Sequence, residues 1–241
     1  MMRRIPAQRR AFRVQDASLV APGIRLLTLE TSDGAPYDHL AGQWIKLYLP
    51  GGIERDYSIA SAPGTRGGGA HIELLVTLVE GGPGSRWLHD VTIGTEIPSL
   101  GPSGLFVRED AERDAPALFV GTGSGVAPLR AMLETIPAAH PATLLFGVRT
   151  PVDVMFGEQW HERVRTSGGA FRFEPTLSRA TGAWAGRRGY VQTHLRELLA
   201  TMPDTTHVYV CGLTKMITEV RRTLKEDLGV DRRRVHSERY D

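Results

Sequence analysis

Two patterns of hydrophobic and polar positions divide the chain. In the first half, apolar and polar residues alternate over short stretches, such as residues 45–49 and 72–78. Alternation with a period of two is typical of strands that bury one face. Breaks that contain glycine and proline, among them residues 50–52 and 81–84, separate these stretches. Several short strands divided in this way predict a small antiparallel barrel.

The second half of the chain has continuous apolar runs that alternate with helical segments. The runs occur at residues 117–120, 144–148 and 208–211. The clearest helix covers residues 215–228, where apolar residues recur every four positions before Gly229. Continuous apolar strands that alternate with amphipathic helices predict a parallel sheet with both faces covered.

A charged stretch between the two patterns predicts a domain boundary. Residues 108–114 are dense in charge and lack apolar periodicity. The length of 241 residues suits one large domain or two ordinary ones. We therefore predict two domains, residues 1–112 and residues 113–241.

Composition and charge narrow the class of protein. With 41% hydrophobic and 23% charged residues, the chain has a normal globular composition. No apolar run approaches the roughly 20 residues that a membrane span needs. The net charge of +2 gives no indication of nucleic-acid binding. The single cysteine, Cys211, excludes an internal disulfide and a four-cysteine iron–sulfur cluster. We expect a reducing compartment, the cytoplasm, and no metal site.

The arginine-rich start of the chain has two interpretations. Residues 1–13 include five arginines, but no apolar run follows them, so we expect no secretory signal. The arginines form either a solvated terminus or a basic face for an acidic protein partner.

The string Arg55-Asp56-Tyr57-Ser58 is suited to binding a flat, phosphorylated cofactor. The guanidinium of Arg55 can pair with a diphosphate through two parallel hydrogen bonds. Tyr57 projects from the strand to the same side, where its ring can pack on a planar group. The Ser58 hydroxyl can hydrogen-bond a ring nitrogen. A strand with a surface arginine and a core tyrosine would give the same string.

Gly84 and Ser85 follow a glycine-rich turn and precede a short predicted helix. Backbone N–H groups at a helix start form an anion site, which the helix dipole strengthens. Ser85 is a suitable N-cap residue for this helix. A plain hairpin turn with an N-cap is the alternative interpretation.

The stretch of residues 121–128 links a predicted strand to a predicted helix. Its glycines, including Gly121 and Gly123, allow a ligand to approach the backbone closely. Pro128 suits the first turn of a helix. A strand, a glycine-rich turn and a helix are the context required for dinucleotide binding, although the spacing is not Gly-x-Gly-x-x-Gly.

Cys211 and Gly212 end a predicted strand. A lone buried cysteine is most often a small core residue. However, ligands bind at the carboxyl ends of strands in parallel sheets, and Gly212 would let a planar ring come near. Residues 234–241 are predicted to form a last strand.

Together, these strings resemble those of the ferredoxin–NADP reductase superfamily along nearly the whole chain. The matching residues are Arg55, Tyr57 and Ser58 of the flavin motif, Gly84 and Ser85 of the flavin-diphosphate turn, Gly121, Thr122, Gly123, Ala127 and Pro128 of the pyridine-nucleotide motif, Cys211, Gly212 and Met216 of the Cys-Gly-x-x-x-Met string, and Glu238 and Tyr240 of the Glu-x-Tyr terminus. The resemblance implies an N-terminal six-stranded antiparallel β-barrel that binds FAD. It implies a C-terminal α/β domain with a five-stranded parallel sheet that binds NAD(P)H.

The function implied by the resemblance is FAD-dependent hydride transfer between NAD(P)H and FAD. Electrons would pass to or from a separate carrier such as ferredoxin or flavodoxin, and we expect a monomer. By the same resemblance, Ser58 would hydrogen-bond near flavin N5, Cys211 would pack beside the nicotinamide, and Glu238 would assist proton delivery. In plant-type members the tyrosine ends the chain, whereas Asp241 follows Tyr240 here, so stacking of Tyr240 on the flavin stays open.

Two other functions stay open at this point. One is the reductase component of an oxygenase or a free-flavin reductase. The short 81–85 loop resembles the corresponding loop of bacterial reductases, including those that serve oxygenases. The other is a non-catalytic FAD-binding regulatory subunit. The direction of electron flow and the identity of the partner are not predicted.

The coenzyme is predicted from cationic and hydroxyl residues after the second and third strands of the C-terminal domain. The 2′-phosphate of NADP needs such donors at this edge of the sheet. The candidates are Arg149, Ser178, Arg179, Arg187 and Arg188. We therefore expect NADPH, with NADH not excluded; solvated loop arginines would give the same pattern.

Overall fold

The computed structural model describes residues 5–65 and 67–240. Arg3 and Arg4 of the arginine-rich start, and Asp241, lie outside the described residues. The chain forms two compact units. The first unit contains Met1–Asp110 and Ala127–Thr135, and the second contains Ala111–Val126 and Ile136–Asp241. The predicted domain boundary after residue 112 stays a prediction.

The N-terminal unit is built on a six-stranded antiparallel sheet, as predicted. Its strands are β1 (Gln8–Ala21), β2 (Ile24–Thr31), β3 (Trp44–Leu49), β4 (Ile53–Ser58), β5 (His71–Thr77) and β6 (Glu96–Ser103). They lie in the order β4-β3-β6-β1-β2-β5. A bridge between Ile59 and Leu74 joins the chain after β4 to β5, so the two ends of the sheet meet.

Alternate positions on these strands fill the core of the N-terminal unit. Ile45, Leu47 and Leu49 are buried on β3, and Ile72 and Leu74 are buried on β5. The sequence predicts one buried face for β5, but both of its faces are buried, because the residues between Ile72, Leu74 and Val76 are buried as well.

A buried ion-pair network explains the second buried face of β5. Arg130 donates to Glu73 Oε2 at 2.5 Å and to the Ala60 carbonyl at 2.8 Å. It also pairs with Glu134 at 3.2 Å, and Glu134 accepts from the Ala62 N–H at 2.9 Å. Arg130 and Glu134 lie on the helix segment 127–135. This segment therefore belongs to the N-terminal unit although the first strand of the second sheet precedes it.

The C-terminal unit is built on a parallel sheet with helices between its strands. Its strands are β7 (Ala117–Thr122), β8 (Ala142–Val148), β9 (Phe171–Leu177), β10 (Arg187–Arg188), β11 (His207–Leu213) and β12 (Val235–Tyr240), in the order β10-β9-β8-β7-β11-β12. The α-helices among the described residues are α1 (Pro83–Asp90), α2 (Val126–Thr135), α3 (Gly157–Thr166), α4 (Leu195–Leu199) and α5 (Thr214–Arg222). Short 3₁₀ turns cover Pro50–Gly52, Gly67–Gly69, Asp110–Glu112, Gly123–Gly125, Pro151–Asp153, Val191–His194 and Arg232–Arg234.

The parallel sheet has six strands where five are predicted. The additional strand, β10, has two residues and pairs with Thr176 and Leu177 at the edge of the sheet. Arg187 anchors it through ion pairs with Glu174 and Glu197, both at 2.7 Å. A strand of two residues has no periodic signal in the sequence, so the pattern of apolar positions does not reveal it.

Two helices have different boundaries from those that the sequence predicts. Helix α1 begins at Pro83, so Ser85 is not its N-cap. The Ser85 hydroxyl instead accepts from the Val79 N–H at 3.0 Å and donates to the Gly82 carbonyl at 3.1 Å. Helix α5 continues as a π-helical turn over Thr223–Asp227. Among the described residues, no helix is long and apolar enough to cross a membrane.

The arginines of the N-terminal stretch that the structure describes lie on a strand. Arg10 pairs with Asp33, and Arg13 pairs with Glu96 at 3.0 Å. Such surface ion pairs are typical of a solvated sheet face.

Candidate cofactor-binding sites

The first candidate site joins strand β4 to the start of helix α1. A Cβ atom on Gly84 would lie 3.1 Å from Arg55 Cγ and 3.2 Å from Ile53 Cγ2. Any larger residue at position 84 would therefore displace the arginine. The structure thus brings together the two residues that the sequence predicts for a diphosphate.

This corner of the N-terminal unit fits an anionic group. The first four N–H groups of a helix have no partner within the helix, and the helix dipole makes this end positive. Gly84 and Ser85 lie in that first turn, and the exposed Arg55 side chain passes beside it. The Ser85 hydroxyl is occupied by the 79–82 loop, so we assign Ser85 to holding the backbone in place. The glycine, the arginine and the helix start fit the diphosphate of FAD.

Tyr57 and Ser58 lie at the end of β4. Tyr57 is half-buried and packs against the core of the N-terminal unit. Burial raises the pKa of Tyr57 to about 12, against the opposing charge of Arg55. The phenol is therefore neutral at physiological pH and offers an uncharged ring to a planar group. Ser58 is buried and pairs with Trp44 on β3.

The second candidate site lies at the carboxyl ends of β7 and β11. A Cβ atom on Gly125 would lie 2.6 Å from the Cys211 carbonyl carbon and 2.7 Å from Gly212 Cα. Only glycine therefore allows the turn after β7 to pack on the end of β11. Gly123, in the same turn, has a φ of +54° and open space where its Cβ would be. An open backbone of this kind suits the close approach of a nucleotide.

Gly212 packs against two other residues of the predicted site. Its φ is +153°, and a Cβ atom there would meet the Thr122 hydroxyl and lie 2.7 Å from Met216 Cε. The motif at the end of β7 and the motif at the end of β11 therefore lie side by side at one edge of the sheet, where ligands bind in parallel sheets. Gly121 lies on β7 opposite Cys211 in the ladder. Pro128 is the third residue of α2, where its missing N–H costs no hydrogen bond within the helix.

Cys211, Glu238 and Tyr240 are neighbours across β11 and β12. Cys211 is paired with Glu238 in the parallel ladder, and Tyr240 hydrogen-bonds the Cys211 thiol. Burial raises the pKa of Cys211 well above its usual range, and the negative charge of Glu238 adds to this effect. The hydrogen bond from Tyr240 opposes the shift. The thiol is therefore neutral and apolar in character, which suits packing beside an aromatic ring.

Arg149, Ser178 and Arg179 lie side by side after β8 and β9. The Arg179 N–H donates to the Arg149 carbonyl at 2.8 Å, and the Ser178 N–H donates to the Val148 carbonyl at 3.0 Å. Within residues 5–65 and 67–240, neither Arg149 nor Arg179 makes an ion pair. The two loops thus present exposed cationic side chains at one edge of the sheet.

Arg187 and Arg188 have structural roles instead. The guanidinium of Arg187 is held by two carboxylates, which raise its pKa. Arg188 donates to the carbonyls of Thr181 at 3.0 Å and Trp184 at 2.6 Å. The sequence cannot separate these arginines from Arg149 and Arg179, because the difference lies in their partners. Sequence reasoning also does not single out Gly125, although it is the third glycine of the same turn.

The two candidate sites together define a class of protein that holds a flavin on an antiparallel barrel and a nicotinamide nucleotide on a parallel sheet. Family models agree with both halves. The oxidoreductase FAD-binding domain matches residues 11–107, and the oxidoreductase NAD-binding domain matches residues 119–222.

Individual relatives support the same assignment. Ferredoxin–NADP reductase B of Sorangium cellulosum is 43% identical over 233 residues, which cover 92% of this chain and 93% of that protein. The anthranilate 1,2-dioxygenase electron transfer component of Acinetobacter baylyi is 27% identical over 94% of this chain, but the match covers 66% of that protein. The chain belongs to the ferredoxin–NADP reductase superfamily. It is an oxidoreductase that uses FAD and a nicotinamide nucleotide.

Solved structures have the same fold. The Amycolatopsis cytochrome P450 reductase GcoB has a TM-score of 0.87 and 27% identity, and the match covers 97% of this chain and 70% of that one. A ferredoxin NADP⁺ reductase from Neisseria gonorrhoeae with bound FAD and NADP has a TM-score of 0.77 and 23% identity, with 98% and 99% covered.

Proposed function

We propose that the protein is an NADPH-dependent reductase that exchanges electrons with ferredoxin or flavodoxin in the cytoplasm, as a monomer. The main support is the 43% identity to ferredoxin–NADP reductase B over nearly the full length of both chains. Bound FAD would supply the chemistry, since it can take a hydride from a nicotinamide and release electrons singly. The roles below belong to the residues of this chain.

The residues of the N-terminal unit bind FAD and orient its planar ring. Arg55 and the N–H groups around Gly84 and Ser85 hold the diphosphate, and a neutral Tyr57 ring packs on the planar group. Ser58 donates a hydrogen bond to a ring nitrogen. The closeness of Arg55 to Gly84 supports this division of roles.

The residues of the C-terminal unit receive the coenzyme. Gly121, Thr122 and Gly123 bind its phosphates at the turn that precedes α2. Gly212 and Met216 leave room for the nicotinamide beside the neutral Cys211 thiol. Glu238, next to Cys211 in the ladder, holds or moves a proton. Tyr240 is hydrogen-bonded to Cys211, and we propose that it covers a planar cofactor ring from this position.

The preference for NADPH rests on Arg149, Ser178 and Arg179. Two cationic side chains without ion-pair partners among the described residues, and one hydroxyl, suit a 2′-phosphate. A charge-assisted hydrogen bond contributes on the order of 1.5–3 kcal/mol, which corresponds to roughly tenfold to a hundredfold in coenzyme preference. NADH carries no such phosphate and would gain nothing from these residues.

The second candidate function is the reductase component of an oxygenase. The relative from Acinetobacter baylyi, an electron transfer component of a dioxygenase, supports this function. The 241 residues of this sequence contain one cysteine and therefore cannot themselves hold a four-cysteine cluster.

Steady-state reduction of cytochrome c tests both the preference for NADPH and the dependence on ferredoxin or flavodoxin. We expect higher kcat/KM with NADPH than with NADH, and a rate that depends on added ferredoxin or flavodoxin. Arg179→Ala should lower kcat/KM for NADPH about tenfold and leave NADH nearly unchanged, whereas Arg165→Ala, on exposed α3, should change neither. A native preference for NADH would contradict the coenzyme assignment. A rate that never depends on ferredoxin or flavodoxin would favour the oxygenase alternative.

A further inference from the structure

Glu112, His207 and His236 form a second cluster of chemically active side chains in the C-terminal unit. His207 begins strand β11, five residues before Gly212. With a rise of roughly 3.3 Å per residue, the cluster lies on the order of 16 Å from the nucleotide edge of the sheet. The proposed function uses none of these three residues.

The three donor atoms are spaced as ligands of one metal ion. His207 Nδ1 lies 3.1 Å from His236 Nε2 and 3.7 Å from Glu112 Oε1. The distance from His236 Nε2 to Glu112 Oε1 is 3.4 Å. Zinc bonds of about 2.0–2.2 Å in a tetrahedral arrangement place neighbouring donor atoms roughly 3.3–3.6 Å apart. The observed distances of 3.1–3.7 Å bracket that spacing, and a bound ion would replace the hydrogen bond between His207 and His236.

The surrounding residues hold the donors in this arrangement. The Tyr209 hydroxyl donates to Glu112 Oε2 at 2.7 Å, which leaves Oε1 toward the two histidines. The His236 ring stacks on Tyr209 with centroids 4.7 Å apart. Metal-binding carboxylates are commonly oriented by such an outer hydrogen bond. The side chains are 13–23% exposed, so an ion can enter but is largely shielded.

We propose that Glu112, His207 and His236 bind a divalent transition-metal ion, with zinc the preferred ion and water in the fourth position. Two imidazoles and a carboxylate are ligands that zinc accepts. The ion would tie the 3₁₀ turn at Asp110–Glu112 to β11 and β12 and so serve a structural role. The sequence predicts no metal site because the ligands come from three separate segments and have no motif spacing.

Metal titration of the FAD-loaded protein tests the proposal. Isothermal calorimetry with Zn²⁺ should give one ion per chain. Co²⁺ should give the visible bands of tetrahedral coordination, which lie at longer wavelength than flavin absorption. His207→Gln and His236→Gln should each weaken Zn²⁺ binding well over tenfold. Tyr209→Phe should weaken it by about tenfold, as removal of an outer partner commonly does.

The control is His161→Gln, which alters an exposed histidine on α3 and should bind Zn²⁺ like the native protein. Flavin content and circular dichroism show that each variant is folded. Zn²⁺ should also raise the melting temperature of the native protein and of His161→Gln, but not that of His236→Gln. Absence of one-to-one binding to the native protein would overturn the proposal. So would equal Zn²⁺ affinity in the native protein and both cluster variants.

Discussion

Arg55 and Gly84 belong to two separate motifs and lie together at one candidate anion site. Arg55 projects from a strand, and Gly84 lies in the first turn of a helix. The absence of a side chain on Gly84 is what allows the Arg55 stem to lie 3.1 Å from the position of a Cβ atom. The geometry therefore joins a fixed positive charge to free backbone N–H groups, which is a combination suited to a diphosphate.

Replacing Arg55 should weaken flavin binding. Arg55→Ala removes a charge-assisted pair worth on the order of 1.5–3 kcal/mol, so we expect the Kd for FAD to rise roughly tenfold to a hundredfold. Fluorescence of released flavin measures this change. Arg13→Ala, on a solvated strand, is the matched control and should retain FAD. Unchanged flavin affinity in Arg55→Ala would refute the assigned role.

At the scale of the element, the turn between β7 and α2 owes its position to one glycine. Gly125 lies against the Cys211 carbonyl group at the end of β11, so the turn and the strand end are packed backbone to backbone. This contact shapes the nucleotide edge of the sheet. Helix α2 then leaves the turn, and its residues 127–135 join the N-terminal unit.

Gly125→Ala should disturb this edge. The new Cβ atom would lie 2.6 Å from the Cys211 carbonyl carbon, and relief requires the turn to move. Overpacking of this kind costs roughly 1–3 kcal/mol, so we expect a lower melting temperature together with a raised KM for the coenzyme. In the control Gly157→Ala, the new Cβ atom would lie 3.9 Å from Val154 Cγ1, which is an ordinary contact. This variant should therefore change neither the melting temperature nor the KM for the coenzyme. A coenzyme KM equal to that of the native protein would contradict the role of the turn.

For the whole molecule, the stability at alkaline pH reports on the buried thiol. The raised pKa of Cys211 keeps the thiol protonated in the folded protein, whereas the unfolded chain ionises it near its ordinary pKa of 9.0. Above that pH the folded state binds more protons than the unfolded state, so stability falls as pH rises. Below it, the thiol is neutral in both states and contributes no pH dependence.

Replacing Cys211 with serine isolates the contribution of the thiol to the pH dependence of stability. Between pH 9 and pH 10.5, the free energy of unfolding of the native protein should fall more steeply than that of Cys211→Ser, by up to about 1.4 kcal/mol per pH unit. Urea denaturation at a series of pH values measures both slopes. Equal slopes would mean that the thiol ionises equally in the folded and unfolded states.

Local pattern and short motifs are enough to predict much of this protein. Alternation of apolar residues predicts the antiparallel sheet, and continuous apolar runs predict β7, β8 and β11, because burial follows directly from side-chain periodicity. The flavin and nucleotide strings predict which residues belong to the cofactor sites, since glycine and arginine requirements are local.

Tertiary structure decided the features that depend on partners distant in sequence. The carboxylates that hold Arg187 and the carbonyls that hold Arg188 distinguish these arginines from Arg149 and Arg179. Strand β10 forms because the edge of β9 is available for pairing. The cluster of Glu112, His207 and His236 exists because the register of β11 and β12 places His236 opposite Tyr209, two residues from His207, and beside a residue from far earlier in the chain. Register and long-range contact arise from packing of the whole fold, so no short window of sequence contains them.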